Sequence, residues 1–315
     1  MAYTSGTADG YLDLLAKVRD FVTQHGWQVI AGVSAGTPVS GDYISFKGTG
    51  LTGTDEIFVS ISASGNVSAG RYNWRLYGHV AYNPAMPGVT QQGNFSGQCA
   101  MLLTANTIAY WIICNGRCFK VITRINGRYD ACYLGFFLPD HTPNNYAYPL
   151  FVGGSALQDG LTAADDSWSH LNFWQGAQYS GNANYWLVNP MGAWRAACGY
   201  TNNNGGAQQY GDQLLPWAPN YYITAVRRQI DGDPWLQRAD LVQVGDGSGV
   251  NSGGAPYSYS QDGGIWYGSL DGVFFTPAFG AAVEEIITVG GVGHIVIPNI
   301  ARTGDRNFAA FALEA

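Results

Sequence analysis

Residues 107 to 138, TIAYWIICNGRCFKVITRINGRYDACYLGFFL, constrain the fold more than any other stretch. Two Asn-Gly pairs, Asn115-Gly116 and Asn126-Gly127, separate three apolar runs rich in β-branched and aromatic residues. Asn-Gly accepts a positive φ at both central positions of a two-residue hairpin turn. The stretch is therefore predicted to be a three-stranded antiparallel meander. Two-residue loops at both pairs put Cys114 opposite Arg117 and Ile113 opposite Cys118. Beyond the second turn they put Val121 opposite Cys132 and Phe119 opposite Leu134. Side chains alternate along a strand, so Cys114 and Cys118 are expected on opposite faces. Their C-x-x-x-C spacing then makes neither a disulfide nor half of a zinc site. The density of large side chains marks this stretch as the centre of a hydrophobic core.

The rest of the chain fits a β protein. Of 315 residues 43 are Gly, and charged residues make up 12 %, against about 25 % in an ordinary domain. Few charges with much Gly, Asn, Ser, Thr and Tyr imply short strands, many turns, and a surface suited to being covered by other chains. A net charge of −7 and no basic cluster leave no electrostatic footprint for nucleic acid. No apolar run of spanning length argues for membrane insertion, and MAYTSGTADG has no apolar core for Sec export. The five cysteines, Cys99, Cys114, Cys118, Cys132 and Cys198, lie mostly inside apolar runs, as reduced, buried thiols of a cytoplasmic product would.

One amphipathic helix is expected over residues 10 to 25. Tyr11, Leu14, Leu15, Val18, Phe21 and Val22 form its apolar stripe, Asp9 its N-cap and Gly26 its stop. It reads as packed on a sheet, with docking of a neighbouring subunit as the alternative. WQVIAGVS, Tyr43 to Phe46, Glu56 to Ile61 and residues 72 to 84 read as strands, and residues 85 to 98 as a loop. LPDHTPNNYAYPLFVGGSA is expected to join two halves, residues 1–155 and 156–315, although one large domain also fits the length. In the second half NYWLVNP, GAWRAACGY and YYITAVRRQI read as strands, as do GVFFTP, EEIITVGG, HIVIPNIA and NFAAFALE. Residues 201 to 213 and 245 to 264 read as loops or hairpin tips. The fold class expected is mainly β, antiparallel sandwich or open-barrel modules with one N-terminal helix.

Chemical motifs are weak. Gly32-Val33-Ser34-Ala35-Gly36 matches G-x-S-x-G, but a nucleophile elbow needs a helix next and a turn-like stretch follows. Gly48-Thr49-Gly50-Leu51-Thr52-Gly53 matches G-x-G-x-x-G, but it leads into Asp55-Glu56 and a strand. Asp231-Gly232-Asp233 and Asp246-Gly247-Ser248-Gly249 offer oxygen ligands without an EF-hand Glu. Asp165-Asp166 and Glu284-Glu285 are adjacent pairs, which on a strand point apart. His25, His79, His141, His170 and His294 show no ligand spacing. Asn66 and Asn94 open glycosylation-type triplets that carry little weight without an export signal. Trp168, Trp174, Trp186, Trp194 and Trp217 crowd the middle of the chain. Such aromatics read first as core, then as subunit interface or sugar-stacking platforms. No catalytic, cofactor or metal residue is assigned.

Several segments, in order, resemble a family of structural proteins of tailed bacteriophages and prophages. They are YLDLLAKVRDFV, KGTGLTGTDEIFVSI, YNWRLYGHVAYNP, CNGRCFKVITRINGRYDACYLGFFLP, YPLFVGGSA, GVFFTPAFG, EEIITVGGVGHIVIPNI and RTGDRNFAAFALE. They cover most of the chain outside 160 to 265. The resemblance implies a non-enzymatic virion part of the tail, baseplate or fibre, made in the host cytoplasm. Its implied partners are copies of itself and other tail or baseplate proteins, with no cofactor. A receptor- or glycan-binding fibre or spike module is the alternative, with a host surface receptor as partner. A hydrolase acting through Ser34 or scattered carboxylates is the third reading.

Overall fold

The structure is a computed structural model. It describes residues 1–86, 88–90, 92–140, 146–164, 170–175, 178–179, 182–196, 201–203, 206–208, 211–215, 236–244, 265–276, 281–300 and 308–313. Strand β1 (Ala2–Asp9) leads into helix α1 (Gly10–Val22). Then come β2 (Trp27–Gly32), β3 (Tyr43–Gly48), β4 (Ile57–Asn66), β5 (Arg71–His79) and β6 (Cys99–Met101). The meander is β7 (Thr107–Cys114), β8 (Cys118–Ile125) and β9 (Arg128–Phe136). Short strands follow: β10 (Leu138–Pro139), β11 (Leu150–Gly153), β12 (Gln178–Tyr179), β13 (Asn182–Ala183), β14 (Tyr185–Val188) and β15 (Trp194–Ala196). Next are β16 (Thr201–Asn203), β17 (Gly206–Gln208), β18 (Gly211–Leu215) and β19 (Gln237–Val244). Last come β20 (Ile265–Phe275), β21 (Ile286–Val289), β22 (Val292–Pro298) and β23 (Phe308–Ala312). The protein is mainly β.

A central sheet runs β1-β7-β8-β9-β11-β14-β15. An N-terminal sheet runs β2-β3-β4-β5-β6, and a C-terminal sheet β18-β19-β20-β23-β22-β21, with β10 also on β20. A small sheet, β13-β12-β16-β17, completes the set. The two faces of the central sheet belong to different cores. Ile112, Cys114, Phe119, Val121, Cys132 and Leu134 meet Phe46, Val59, Ile61, Trp74 and Leu76 of the N-terminal sheet. Ile113, Cys118, Ile122, Ala131 and Tyr133 meet Leu241, Tyr267, Val273, Ile295 and Phe311 of the C-terminal sheet. Strict alternation of apolar side chains along β7, β8 and β9 makes this possible, because a strand apolar on both faces needs a cover on each.

The second Asn-Gly turn is as expected. Asn126 has φ 50° and Gly127 φ 79°, and Val121 faces Cys132 and Phe119 faces Leu134. Gly127→Ala should cost about 1–2 kcal/mol, the penalty of a left-handed L-residue. Nothing stands within 4 Å of the new Cβ, so urea denaturation would read that backbone cost alone.

The first turn differs. Cys114 faces Phe119 and Ile113 faces Lys120, and the turn residues are Gly116 and Arg117, closed by the Asn115 N–H donating to the Cys118 carbonyl at 3.0 Å. Neither Asn115 nor Gly116 takes a positive φ. The Asn115 side chain explains this. Its Oδ1 accepts from the N–H of Arg117 and of Cys118, each at 2.9 Å, and its Nδ2 donates to Asp271 at 3.0 Å. Asn115 thus nucleates the turn from its first position instead of occupying the centre. The shift is even, so Cys114 and Cys118 still point to opposite cores.

Helix α1 buries Tyr11, Leu14, Leu15, Val18 and Val22 in the first core, while Phe21 is half-buried. It ends at Val22 with Thr23 as C-cap, short of the expected stop at Gly26. Asp9 precedes it, yet its side chain caps nothing. The Asp13 carboxylate instead accepts the Asp9 N–H at 2.8 Å.

The expected passage between halves is woven into two sheets. Pro139 pairs with Gly268, and β11 lies between β9 and β14. The division between residues 155 and 156 therefore falls among strands that pair within one sheet. Beyond it, Asp159 grips the N-terminal sheet, accepting from Ser64 Oγ at 2.5 Å and Arg75 Nε at 2.7 Å. Strands β16 and β17 pair antiparallel, and Leu214 and Leu215 lie inside β18. The readings over 216–235 and 245–264 lie outside the described residues.

Candidate functional site

The most exposed feature with a defined geometry is the free side of β1. This strand pairs with β7 without interruption from Ala2 opposite Cys114 to Asp9 opposite Thr107. It ends the central sheet, with no strand on its far side among the described residues. Its sequence, AYTSGTAD, gave no strand signal. Only Ala8 is buried, against the first core, and the other residues are exposed or half-exposed. An edge strand presents a row of unpaired N–H and C=O groups, and proteins ordinarily blunt such edges with Lys, Pro, bulges or brevity. β1 has none of these. Three other edges do: β2 carries a register shift between Val29 and Ala31, and β15 has 3 residues and β21 has 4.

The tryptophans singled out by sequence divide three ways. Trp174 is fully buried, edge-on to Phe173 at 5.3 Å and to Phe311 at 5.7 Å. Trp186 and Trp194 are half-buried on the flank of the first core. Their indole N–H groups donate to the carbonyls of Gln98 at 3.3 Å and Asn94 at 3.0 Å. Each ring lies on a glycine: a Cβ at Gly97 would fall 1.9 Å from Trp186, and one at Gly78 would fall 2.7 Å from Trp194. These rings pin the 80–98 segment to the sheet. Trp168 and Trp217 lie outside the described residues.

The chemical motifs take structural places. Ser34 is exposed in the chain between β2 and β3, and no helix follows it. Gly32, at φ 83°, lets the Tyr43 carbonyl approach to within 1.9 Å of where a Cβ would be. Gly50 N–H donates to the Gly116 carbonyl at 2.8 Å, so the glycine-rich loop docks on the first meander turn. Glu284 takes the Tyr129 hydroxyl at 2.8 Å and Arg124 at 2.6 Å, whereas Glu285 accepts the Ala282 N–H at 2.6 Å. The two carboxylates do not converge. Asp165-Asp166, His141, Cys198 and both Asp-Gly motifs lie outside the described residues.

Two buried histidines form polar clusters that sequence spacing could not reveal. His79 Nε2 is 2.8 Å from Ser60 Oγ, which is 2.8 Å from Ser45 Oγ. All three are buried between the N-terminal sheet and the 80–98 segment, and burial pulls the His79 pKa down to about 4. A serine beside a neutral imidazole has the partners of a nucleophile, but here it has no exposed surface for a substrate. His170 Nε2 is 2.7 Å from Asp130 Oδ1, both wholly buried. Asn172 beside them accepts the Ala131 N–H at 2.7 Å and donates to the Tyr129 carbonyl at 2.7 Å. This polar seam ties the central sheet to the segment before β12.

The thiols of Cys99, Cys114, Cys118 and Cys132 are free and buried. Burial pushes all four up, Cys118 to about 11 and Cys132 to about 12, so they stay protonated and unreactive. Among the described residues no three His, Cys, Asp or Glu side chains converge to hold a metal. No helix there is long and apolar enough to cross a membrane. No protein-family model matches the chain, and no curated protein matches it.

Proposed function

We propose that the protein is a structural subunit of a phage tail or baseplate, acting by assembly with copies of itself and neighbouring virion proteins. The phage assignment rests on the ordered segments that resemble that family. The assembly assignment rests on one observation, the eight-residue edge β1 with none of the usual blocks to pairing. Strand addition gives affinity through main-chain hydrogen bonds and needs little side-chain specificity. The run Thr4 to Ala8 of β1, uncharged and built of small residues, suits an isologous pairing of the strand with its symmetry mate. In this reading the stacked sheets are sandwich modules rather than open barrels, a view supported by the separate cores on the two faces of the central sheet. It needs no chemistry of its own, and the host cytoplasm suits the four reduced thiols.

Mass spectrometry of purified particles tests the assignment: the chain is expected at a fixed ratio to the other tail proteins, and its absence from particles would refute it. The edge is tested separately. Ser5→Lys with Thr7→Lys puts two charges on exposed positions of β1. Native protein should sediment as an oligomer and the double variant as a monomer with an unchanged melting point.

The glycan reading gains nothing from Trp174, Trp186 or Trp194, whose rings are committed to the protein's own packing.

A further inference from the structure

A cleft of about 550 Å³ opens where the chain entering β4, the chain leaving β5, the end of β9 and the chain entering β11 meet. This is within the size range of small-ligand sites, roughly 300–1,000 Å³. Phe58, Tyr82, Phe136 and Tyr148 wall it, and Asp55 and Glu56 stand on one side. Phe58 stacks with Tyr82 at 5.8 Å and 27°, and Phe136 meets Tyr148 edge-on at 4.8 Å. The Tyr148 hydroxyl donates to the His79 carbonyl at 2.8 Å and accepts the Phe58 N–H at 3.3 Å, so its ring is fixed. The walls are preformed.

The electrostatics of the cleft have one sign. Ring faces carry negative potential, and among the described lining residues the only acids or bases of ordinary strength are the carboxylates of Asp55 and Glu56. The protein itself shows what such a wall accepts. The Lys47 ammonium sits 5.8 Å from the centre of the Phe58 ring and 2.5 Å from Glu56 Oε1. That pairing satisfies Glu56 and leaves Asp55, half-buried, in no ion pair among the described residues and part of the cavity lining. The Asp55 carboxylate is held by close approach to the loop, where a Cβ on Gly50 would fall 1.8 Å from Oδ2. An aromatic wall with one fixed, unneutralised carboxylate is complementary to an organic cation. A saccharide needs partners that donate to its hydroxyls as well as accept from them, and among the described lining side chains only the hydroxyls of Thr54, Tyr82 and Tyr148 donate.

We propose that this cleft binds an alkylated ammonium group, quaternary or tertiary, with Asp55 as its counter-charge and the four rings as its walls. The inference does not depend on how copies of the chain assemble.

Ligand-observed NMR on the full chain tests it with three probes: choline, its neutral isostere 3,3-dimethylbutan-1-ol, and methyl glucoside. Choline should bind saturably and weaken as salt rises, and the isostere should bind at least tenfold more weakly. Asp55→Asn should weaken choline about tenfold, and Tyr82→Leu by about threefold to fivefold. Equal binding of choline and the isostere would overturn the proposal, as would saturable binding of the glucoside alone. So would no saturation by choline up to roughly 50 mM. The probe comparison uses the native chain, so a variant that fails to fold does not remove the test.

Discussion

Phe119→Ala will remove about 4 kcal/mol of folding stability, seen as a large fall in the urea midpoint at unchanged slope. Phe119 sits on β8 with no exposed surface. Its ring is edge-on to Trp27 at 5.0 Å and to Phe46 at 5.7 Å, so it joins the central sheet to β2 and β3 of the N-terminal sheet. Truncation loses the transfer energy of the ring, leaves a cavity that stiff sheets collapse onto poorly, and breaks two aromatic pairs of about 0.5–1.5 kcal/mol each. A domain with a total of about 5–15 kcal/mol has little left after that. Trp194→Ala, on the half-buried flank, should cost about a quarter as much. Comparable losses for the two would mean that the tryptophan flank belongs to the core proper.

Acidification from pH 7 to pH 4 will destabilise the protein by about 3 kcal/mol through His79. The folded-state pKa is about 4 against 6.5 for the free side chain. Between those values the unfolded chain takes up a proton that the native state refuses, so stability is full above pH 6.5 and falls as pH drops to 4. Burial lowers the pKa of His294 as well, which adds a loss of the same sign. Asp240, raised by burial despite Arg238 beside it, works in the opposite direction. The measurement is therefore a difference. Urea midpoints at pH 7 and pH 4 are compared for the native chain and for His79→Gln, which keeps an amide for Ser60 and cannot titrate. The variant should lose most of the pH dependence, and an equal drop in both proteins would acquit His79.

The parts legible in the sequence were those that local rules decide. Asn126-Gly127 set a turn whose geometry needs nothing from the rest of the molecule, and strand alternation put Cys114 and Cys118 on opposite faces, as found. Asn115-Gly116 looked identical and behaved differently, because Asn115 bonds to Asp271, 156 residues away, and takes the Trp27 indole on its carbonyl at 2.7 Å. β1 was silent because an edge strand that buries one alanine has no periodicity to read. The His79 cluster and the aromatic cleft draw on three strands and four segments respectively, so no spacing could have announced them. The place of Trp186 was not readable for a related reason: whether its ring packs on Gly97 or stands free depends on a backbone 89 residues away.

The doubly covered central sheet has a consequence for synthesis. Its β9 strand ends at Phe136, and β19, the first long strand of the C-terminal sheet to put side chains into the core on its second face, begins at Gln237. A ribosome adding about 5–20 residues per second needs roughly 5–20 s to make the chain between them. Throughout that interval Ile113, Ile122, Tyr133 and their neighbours face water on a nascent sheet that is otherwise ready to fold. Slow codons or heat would prolong the exposure, and yield in the expressing cell should then depend on holdase chaperones long before it depends on the stability of the finished protein.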